Sequence, residues 1–407
     1  MGKRKVDRLS MSKFKLDALL DITLSINANL PNEILLSKYE SILRSKLGIG
    51  KILIFKYSGS WECLLNGGFP GQEISSPEIV PNLLKYTETV FRPDDPVFEG
   101  VDIIIPVHNN NVPLAFVLMG DIEEEGEGMS PVLKHLNFVQ TISSIIIVAI
   151  ENIRLFNESL QQEALRKELE LAARMQQMLI PENRTMPKND KLVASGFYYP
   201  HYSVGGDYYD CIRLSDSKIG FCIADVSGKG LSAALLMSNF QAGLRVLFNH
   251  DIGLPELIQK LNYLLVTNAA GEKFITLFIA RFDNCTGVLE YVNAAHNPPV
   301  LYDVEKHEIK QLHSTCVGIG MLDEIPDIET RKIILENTSK LVCYTDGLSE
   351  LKGDDGEELG TREIIKYISN NDPVKQNIIS MLENLGIPDN NPDLFDDISI
   401  MAMDFIR

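Results

Sequence analysis

Four apolar, strand-like runs in the second half of the chain each carry an aspartate at one end. The acidic segments are VGGDYYD, ADVSGKG, YTDGLSE and DDISI, with Asp207, Asp225, Asp346 and Asp396. A buried carboxylate needs a partner, so one such aspartate is an ordinary turn residue, whereas four are hard to explain by core packing. A fold that satisfies this pattern must bring four strand ends together. Oxygen ligands gathered in this way suit Mg²⁺ or Mn²⁺ rather than Zn²⁺.

A site built from carboxylates, with no nucleophilic side chain beside them, indicates hydrolysis of a phosphate ester by metal-activated water. The sequence lacks residues that other phosphate chemistries require. No cysteine is followed by five residues and an arginine, which excludes a phosphocysteine mechanism. The segment SGKG has Gly230 where a Walker A loop needs Ser or Thr. Tyr208 follows GGD, where diguanylate cyclases have an acidic residue.

Composition indicates an ordinary globular protein with an acidic surface. The chain has 407 residues, enough for two or three domains, and a formal net charge of −18, which argues against nucleic acid as a partner. The six cysteines form no CxxC pair, and we interpret them as reduced thiols. The longest apolar run, residues 142–150, is shorter than the ~20 residues of a membrane helix, and no signal peptide precedes it. We therefore expect a cytoplasmic protein with no membrane partner.

The first third of the chain has an α+β layout. Helical spacing over residues 14–30 and 38–47 is followed by four strand-like runs separated by Gly, Pro and Asn turns. The runs are KILIFKY, WECLLNG, VDIIIPV and LAFVLMGD. In layout and position this stretch resembles a GAF domain. The resemblance implies a sensor for a ligand or partner protein, whose identity the sequence leaves open.

A long helix is predicted between the two halves of the chain, because neither Gly nor Pro occurs between residues 132 and 180, and Pro181 follows. Apolar residues recur there in steps of four and three, which is typical of a coiled-coil seam and favours a homodimer joined through this helix. The alternative is a single amphipathic helix packed on its own domain. We place an N-terminal tail at 1–13, the GAF-like domain at 14–140, the helical coiled-coil linker at 141–180 and the final domain at 181–407.

After residue 181 the pattern changes to many strands and two or three helices, two of them at 231–248 and 254–268. Apolar strands with covering helices in one domain favour a layered α/β/β/α sandwich. Together with the first domain, this gives an α+β chain.

The second half resembles the metal-dependent Ser/Thr protein phosphatases of the PPM family, in their bacterial SpoIIE/RsbU-type branch. The motifs that carry the resemblance are AARMQQMLIP, GGDYYD, ADVSGKG, NAAHNPP, TDGLSE and DDISI. It implies a centre of two Mn²⁺ or Mg²⁺ ions, with a weaker third ion left open. The implied catalytic metal ligands are Asp207, Asp225, Asp346 and Asp396, with the Val226 carbonyl. In the family, a water or hydroxide bridging the metals attacks phosphoserine or phosphothreonine directly.

Some positions depart from the eukaryotic branch of that family. Ser227 stands where that branch has a histidine, and no arginine precedes Asp207, so the phosphate anchor and the general acid are unassigned. Lys229 is a candidate for phosphate contact or an exposed loop lysine. His296 is a candidate for proton transfer, although a hydrogen-bonded structural histidine is the favoured interpretation.

Two further aspartates, Asp210 and Asp397, are candidates for orienting ligands or waters. The resemblance also implies the function: a sensor-regulated phosphoprotein phosphatase. Its expected substrate is a phosphorylated anti-anti-sigma-type (STAS) protein in a partner-switching pathway. The alternatives are a non-catalytic signalling scaffold with the same fold and a phosphatase of small molecules.

Overall fold

A computed structural model describes residues 2–69, 76–109, 112–122, 131–201, 204–249, 251–269, 273–352, 357–387 and 394–407. The chain divides into two compact units, residues 1–163 and 164–407. We call them unit 1 and unit 2, and each is described by itself.

Unit 1 is an antiparallel five-stranded sheet with helices. Its elements are α1 (Gly2–Asn27), α2 (Asn32–Leu47), β1 (Ile49–Tyr57), β2 (Trp61–Gly67), α3 (Ser76–Leu83), β3 (Val90–Phe91), a 3₁₀ turn (Pro96–Phe98), β4 (Ile103–Asn109), β5 (Val112–Ile122) and most of α4 (Pro131–Gln177). The strand order is β2-β1-β5-β4-β3. Ile52 and Ile54 pack with α1, α2 and α4, whereas Leu53 and Phe55 belong to a second core with α3, as the two-residue period of a strand requires.

The four predicted strands of unit 1 are confirmed, as is the helix ending at Leu47. The first helix begins at Gly2, so residues 2–13 are helical rather than a tail. The short elements α3 and β3 were not predicted, because eight and two residues are too few to show a periodic pattern.

Helix α4 confirms the predicted uninterrupted helix. By length and composition alone its His135–Gln177 segment could cross a membrane, but about half of its most apolar stretch is buried inside the protein. Ile142, Ile146 and Ile150 lie in the core of unit 1, as in the core helix of a globular domain. Leu160 and Leu165, further along, are exposed.

Unit 2 contains two antiparallel sheets. Its elements after α4 are β6 (Lys188–Asn189), β7 (Leu192–Tyr199), β8 (Tyr208–Arg213), β9 (Lys218–Val226), α5 (Leu231–Leu247), α6 (Leu254–Ala269), β10 (Ile275–Asp283), β11 (Val288–Ala294), β12 (Val300–Asp303), β13 (Glu308–Gln311), β14 (Arg331–Ile334), β15 (Ser339–Tyr344), α7 (Asp346–Ser349), α8 (Gly360–Ile368), α9 (Val374–Asn384) and β16 (Ile398–Phe405). The sheet orders are β14-β11-β10-β9-β8 and β13-β12-β15-β16-β7-β6.

The two sheets of unit 2 pack face to face between helical layers. Strand β16 alternates, with Met403 and Phe405 in the core between the sheets and Ile400 in the core under α8 and α9. The Phe405 ring meets the Phe282 ring of the other sheet, with centroids 4.5 Å apart. Phe240 of α5 packs on Tyr208 of β8, on the face of its sheet that points away from the other sheet, so helices cover both outer faces. This is the predicted α/β/β/α sandwich.

Candidate metal centre

Sheet register brings the four predicted aspartates to one edge of unit 2. Strands β8 and β9 are antiparallel with Tyr208 opposite Ala224, which places Asp207 and Asp225 side by side. In the other sheet Tyr344 lies opposite Ile400. The end of β15, next to Asp346, therefore meets the start of β16, next to Asp396. Both sheets contribute to the same edge.

Asp207 is the most deeply buried of these four carboxylates, with 2% of its surface exposed. The Thr345 hydroxyl donates a 2.7 Å hydrogen bond to its Oδ2. Burial raises the pKa of Asp207 well above its usual value, and the charges of Asp225 and Asp397 raise it further. The side chain is therefore held in place in a setting that disfavours its ionised form.

The pKa of Asp225 depends on the other carboxylates at this edge. Burial, followed by the negative charges of Asp346, Asp396 and Asp397, raises the pKa of Asp225 to about 7. The pKa of Asp346 is also raised, first by burial and then by Asp396. These mutual effects show that the structure gathers the acidic segments into one cluster of negative charge. We call Asp207, Asp225, Asp346, Asp396 and Asp397 the carboxylate cluster.

Asp397 organises the glycine loop that precedes Asp207. Its Oδ1 accepts a hydrogen bond from the His201 amide (2.8 Å), and its Oδ2 accepts one from the Gly206 amide (2.7 Å). A Cβ atom on Gly205 would lie 2.1 Å from Asp397 Oδ2, and one on Gly206 would lie 2.8 Å from the Val226 carbonyl oxygen. The two glycines therefore allow the loop, the Asp397 carboxylate and the Val226 carbonyl to approach closely.

Lys229 brings a positive charge to the carboxylate cluster. Its ammonium nitrogen lies 2.8 Å from Asp396 Oδ2 and also donates to the Phe395 carbonyl. Both side chains of the ion pair are partly exposed, Lys229 to 44% and Asp396 to 35%. The lysine that we considered for phosphate contact is thus bonded to a predicted metal ligand.

The donor set suits a hard divalent cation, although the side chains are not arranged around one. Within the described ranges, no group of three or more His, Cys, Asp or Glu side chains is positioned to hold a metal ion as it stands. The cluster nevertheless offers oxygen donors, and burial together with mutual repulsion raises the pKa values of Asp207, Asp225 and Asp346. A cation would relieve that repulsion, and oxygen-only ligation matches Mg²⁺ or Mn²⁺.

A family model and a solved structure both match the part of the chain that forms unit 2. Residues 215–406 match the family model described as Stage II sporulation protein E (SpoIIE). The SiaA-PP2C domain of Pseudomonas aeruginosa is similar in structure, with a TM-score of 0.51 and 18% identity over 60% of this chain and 98% of that chain. Unit 2 contains a SpoIIE-type domain with the PP2C fold.

Curated relatives of the SpoIIE-type domain come from two bacteria. Protein IcfG of Synechocystis is 28% identical over 270 residues, which are 58% of this chain and 41% of IcfG. Phosphoserine phosphatase RsbU of Bacillus subtilis is 28% identical over 195 residues, 48% of this chain and 57% of RsbU. Phosphoserine phosphatase RsbP of the same species is 26% identical over 193 residues, 46% of each protein. The chain thus spans about half the length of these relatives.

Two of the predicted site residues make their contacts outside the carboxylate cluster of the SpoIIE-type domain. Asp210 is fully buried and accepts two hydrogen bonds from Arg245 of α5 (2.8 and 3.1 Å) and one from the Tyr208 hydroxyl (2.5 Å). Because alternate residues of a strand face opposite sides, Asp210 points away from the face that Asp207 uses. It ties β8 to α5.

His296 has the contacts of a structural histidine. It is 4% exposed, its Nδ1 lies 2.9 Å from the Thr276 hydroxyl, and its amide donates to Asn293 Oδ1 at 2.8 Å. Burial lowers the pKa of His296 to about 4, against a smaller opposing effect of the Tyr344 carbonyl. The ring is therefore neutral at pH 7, which fits the favoured interpretation.

Sequence reasoning missed two residues that position the SpoIIE-type site. Thr345 donates to Asp207 and also accepts a 2.9 Å hydrogen bond from the Ser399 amide. Gln176, in the last turn of α4, is 4% exposed and bonds both backbone groups of Gly205. The available signals were a hydroxyl residue directly before a predicted ligand in YTDG and an amide within the apolar AARMQQM segment.

Proposed function

We propose that this protein is a metal-dependent phosphoserine/phosphothreonine protein phosphatase. The observation that carries the proposal is the convergence of four aspartates from two sheets at one edge of a PP2C fold, where burial and the neighbouring carboxylates raise the pKa of Asp225 to about 7. Two curated relatives are themselves named phosphoserine phosphatases, which supports the same reaction class.

In this proposal Asp207, Asp225, Asp346, Asp396 and the Val226 carbonyl hold two Mn²⁺ or Mg²⁺ ions. Bound ions of this kind supply water activation and charge neutralisation for phosphate-ester hydrolysis. The side chains around them preorganise the ligands. Thr345 orients Asp207, and Asp397 fixes the Gly206 amide, so the loop is in place before substrate arrives.

We further propose that the substrate is a phosphorylated anti-anti-sigma-type (STAS) protein in a partner-switching pathway, and that unit 1 is a GAF-like sensor. The resemblance to the RsbU-type branch supports the substrate class. The antiparallel sheet of unit 1, with helices packed on it, is compatible with a sensor domain. Exposed apolar residues along α4, such as Leu160 and Leu165, support a homodimer joined through this helix.

Helix α4 offers a physical route for regulation. Gln176 Oε1 accepts a hydrogen bond from the Gly205 amide (3.1 Å), and its Nε2 donates to the Gly205 carbonyl. Gly205 lies two residues before Asp207. A shift of the last turn of α4 would therefore move the loop that carries a metal ligand, which is the kind of two-state element that switching needs.

The test is phosphate release from a phosphoserine protein by the full chain in MnCl₂. Asp225→Asn should lower kcat at least ~100-fold, because a metal ligand is lost. Asp216→Asn, a matched change at a fully exposed position, should stay within about twofold of wild type. Absence of release from every phosphoprotein tested, by folded protein that binds Mn²⁺, would favour the non-catalytic scaffold. Parallel assays with low-molecular-weight esters separate a protein phosphatase from a small-molecule one.

A further inference from the structure

The turn that carries Lys229 links the edges of the two sheets of unit 2. It follows β9 of one sheet, and Gly228 (φ 89°) and Gly230 (φ 76°) adopt left-handed backbone conformations on either side of Lys229. From this turn the lysine reaches Phe395 and Asp396, which directly precede β16 of the other sheet. The contact is therefore built by tertiary structure between segments far apart in the chain.

Lys229 is bonded to a carboxylate for which a metal ion would compete directly. Asp396 is a predicted metal ligand, and the ammonium lies 2.8 Å from its Oδ2. A lysine ammonium is a compact charge on a flexible stem, and a partly exposed one can turn into solvent with little loss.

We propose that Lys229 is a built-in counter-cation of Asp396, which competes with a divalent cation for that carboxylate. Metal binding at Asp396 then exchanges the ammonium for the ion, and the exchange raises the metal concentration at which the site fills. This inference rests on the metal site of the proposed function. The opposite role, a brace that orients Asp396 for the metal, predicts an effect of opposite sign.

The experiment is calorimetric titration of MnCl₂ into the metal-free full chain, which needs no activity. Lys229→Gln should bind Mn²⁺ about three- to tenfold more tightly than wild type, because the competitor is gone. Lys229→Arg keeps the charge and should bind no more tightly than wild type. Lys260→Gln is the matched control. It removes an equal charge from the exposed α6 pair with Glu256 and should leave the affinity within about twofold.

A second pair of variants separates direct competition from a general charge effect. In an Asp396→Asn background, Lys229→Gln should no longer change the affinity for the remaining ion, because the carboxylate that it contests is absent. An equal gain in both backgrounds would overturn the proposal, as would weaker binding by Lys229→Gln. An unchanged affinity in Lys229→Gln overturns this inference alone. Failure of the wild-type chain to bind Mn²⁺ in an Asp225-dependent way overturns the metal site itself.

Discussion

At the scale of single residues, the carboxylate cluster depends on positions where a side chain has no room. A Cβ on Gly205 would collide with Asp397, and one on Gly347 would lie 2.0 Å from the Asp397 carbonyl oxygen. The glycines of GGD and TDG are therefore packing requirements of the site. They let acidic strand ends from two sheets approach one another.

Gly205→Ala should lower the free energy of unfolding by about 2–4 kcal/mol, because either Asp397 or the loop must move. Gly253→Ala is the control, since the nearest atom to its added Cβ is Pro255 Cδ at 3.9 Å. Thermal unfolding in EDTA compares the two. Equal stability of the two variants would contradict the collision.

Asp225→Asn should stabilise the metal-free protein while abolishing its stabilisation by Mn²⁺. The pKa of Asp225 is about 7 in the folded protein and near 3.8 when unfolded, so the native state loses stability as pH rises through this range. Asparagine does not titrate. The gain should therefore grow from about 1–2 kcal/mol at pH 5 to about 4 kcal/mol at pH 8.

Denaturant unfolding in EDTA at both pH values measures the effect of Asp225→Asn. Asp216→Asn, at an exposed position, should change stability by less than ~0.5 kcal/mol at either pH. A loss of stability in Asp225→Asn at pH 8 would show that the carboxylate is satisfied without a metal ion.

At the scale of elements, helix α4 is attached at specific points rather than by apolar contact alone. In unit 1, Lys56 of β1 is 2% exposed and lies 2.6 Å from Glu151 of α4, which also binds Arg154. In unit 2, Gln176 holds Gly205. Each contact fixes the register of the helix within its own unit.

Gln176→Ala should weaken Mn²⁺ binding and lower kcat, because the amide and carbonyl of Gly205 lose their partners. The cost of two unpaired buried groups is about 1–3 kcal/mol each. Gln177→Ala, at the exposed neighbouring position, is the matched control and should resemble wild type. If Gln176→Ala changes stability but neither metal affinity nor kcat, the contact is structural and does not position the site.

Glu151→Gln should destabilise unit 1 by about 3–5 kcal/mol, because Lys56 keeps its buried charge and loses its counter-charge. Glu158→Gln removes a carboxylate that is 51% exposed and also binds Arg154, and should cost less than ~0.5 kcal/mol. The single tryptophan, Trp61 in β2, reports unfolding of this unit by fluorescence. Comparable losses of stability in both variants would mean that the buried Lys56–Glu151 pair stabilises the protein no more than the exposed Arg154–Glu158 pair does.

At the scale of the whole molecule, two units are joined by one continuous helix, and part of that helix exposes apolar side chains. Phe156, Leu160 and Leu165 are 63%, 52% and 58% exposed in the single chain. Burying these side chains against a second copy would remove apolar surface from water, which is the driving force of coiled-coil pairing.

Light scattering after size-exclusion chromatography should therefore show a dimer. Leu160→Asp should shift it to a monomer, because a charge on the seam opposes pairing. Gln162→Asp adds the same charge at an exposed position beside the seam and should leave the dimer intact. A monomeric wild-type chain at micromolar concentration would contradict pairing through α4.

The sequence by itself determined the order of most helices and strands, the sandwich of unit 2 and the aspartates that form the carboxylate cluster. These follow from local patterns: the two-residue period of strands such as β16, the unbroken helical run of α4, and aspartates at strand ends. Short elements such as α3 and β3 lack enough residues to show a period.

Only the tertiary structure decided what each polar side chain contacts. It directed Asp210 to Arg245, buried His296 as a neutral ring, joined Gln176 to Gly205 and paired Lys229 with Asp396. The physical reason is that such partners are distant in sequence and meet only through sheet register and turn conformation. A local pattern shows that a charge is present, whereas the fold determines which opposite charge it faces.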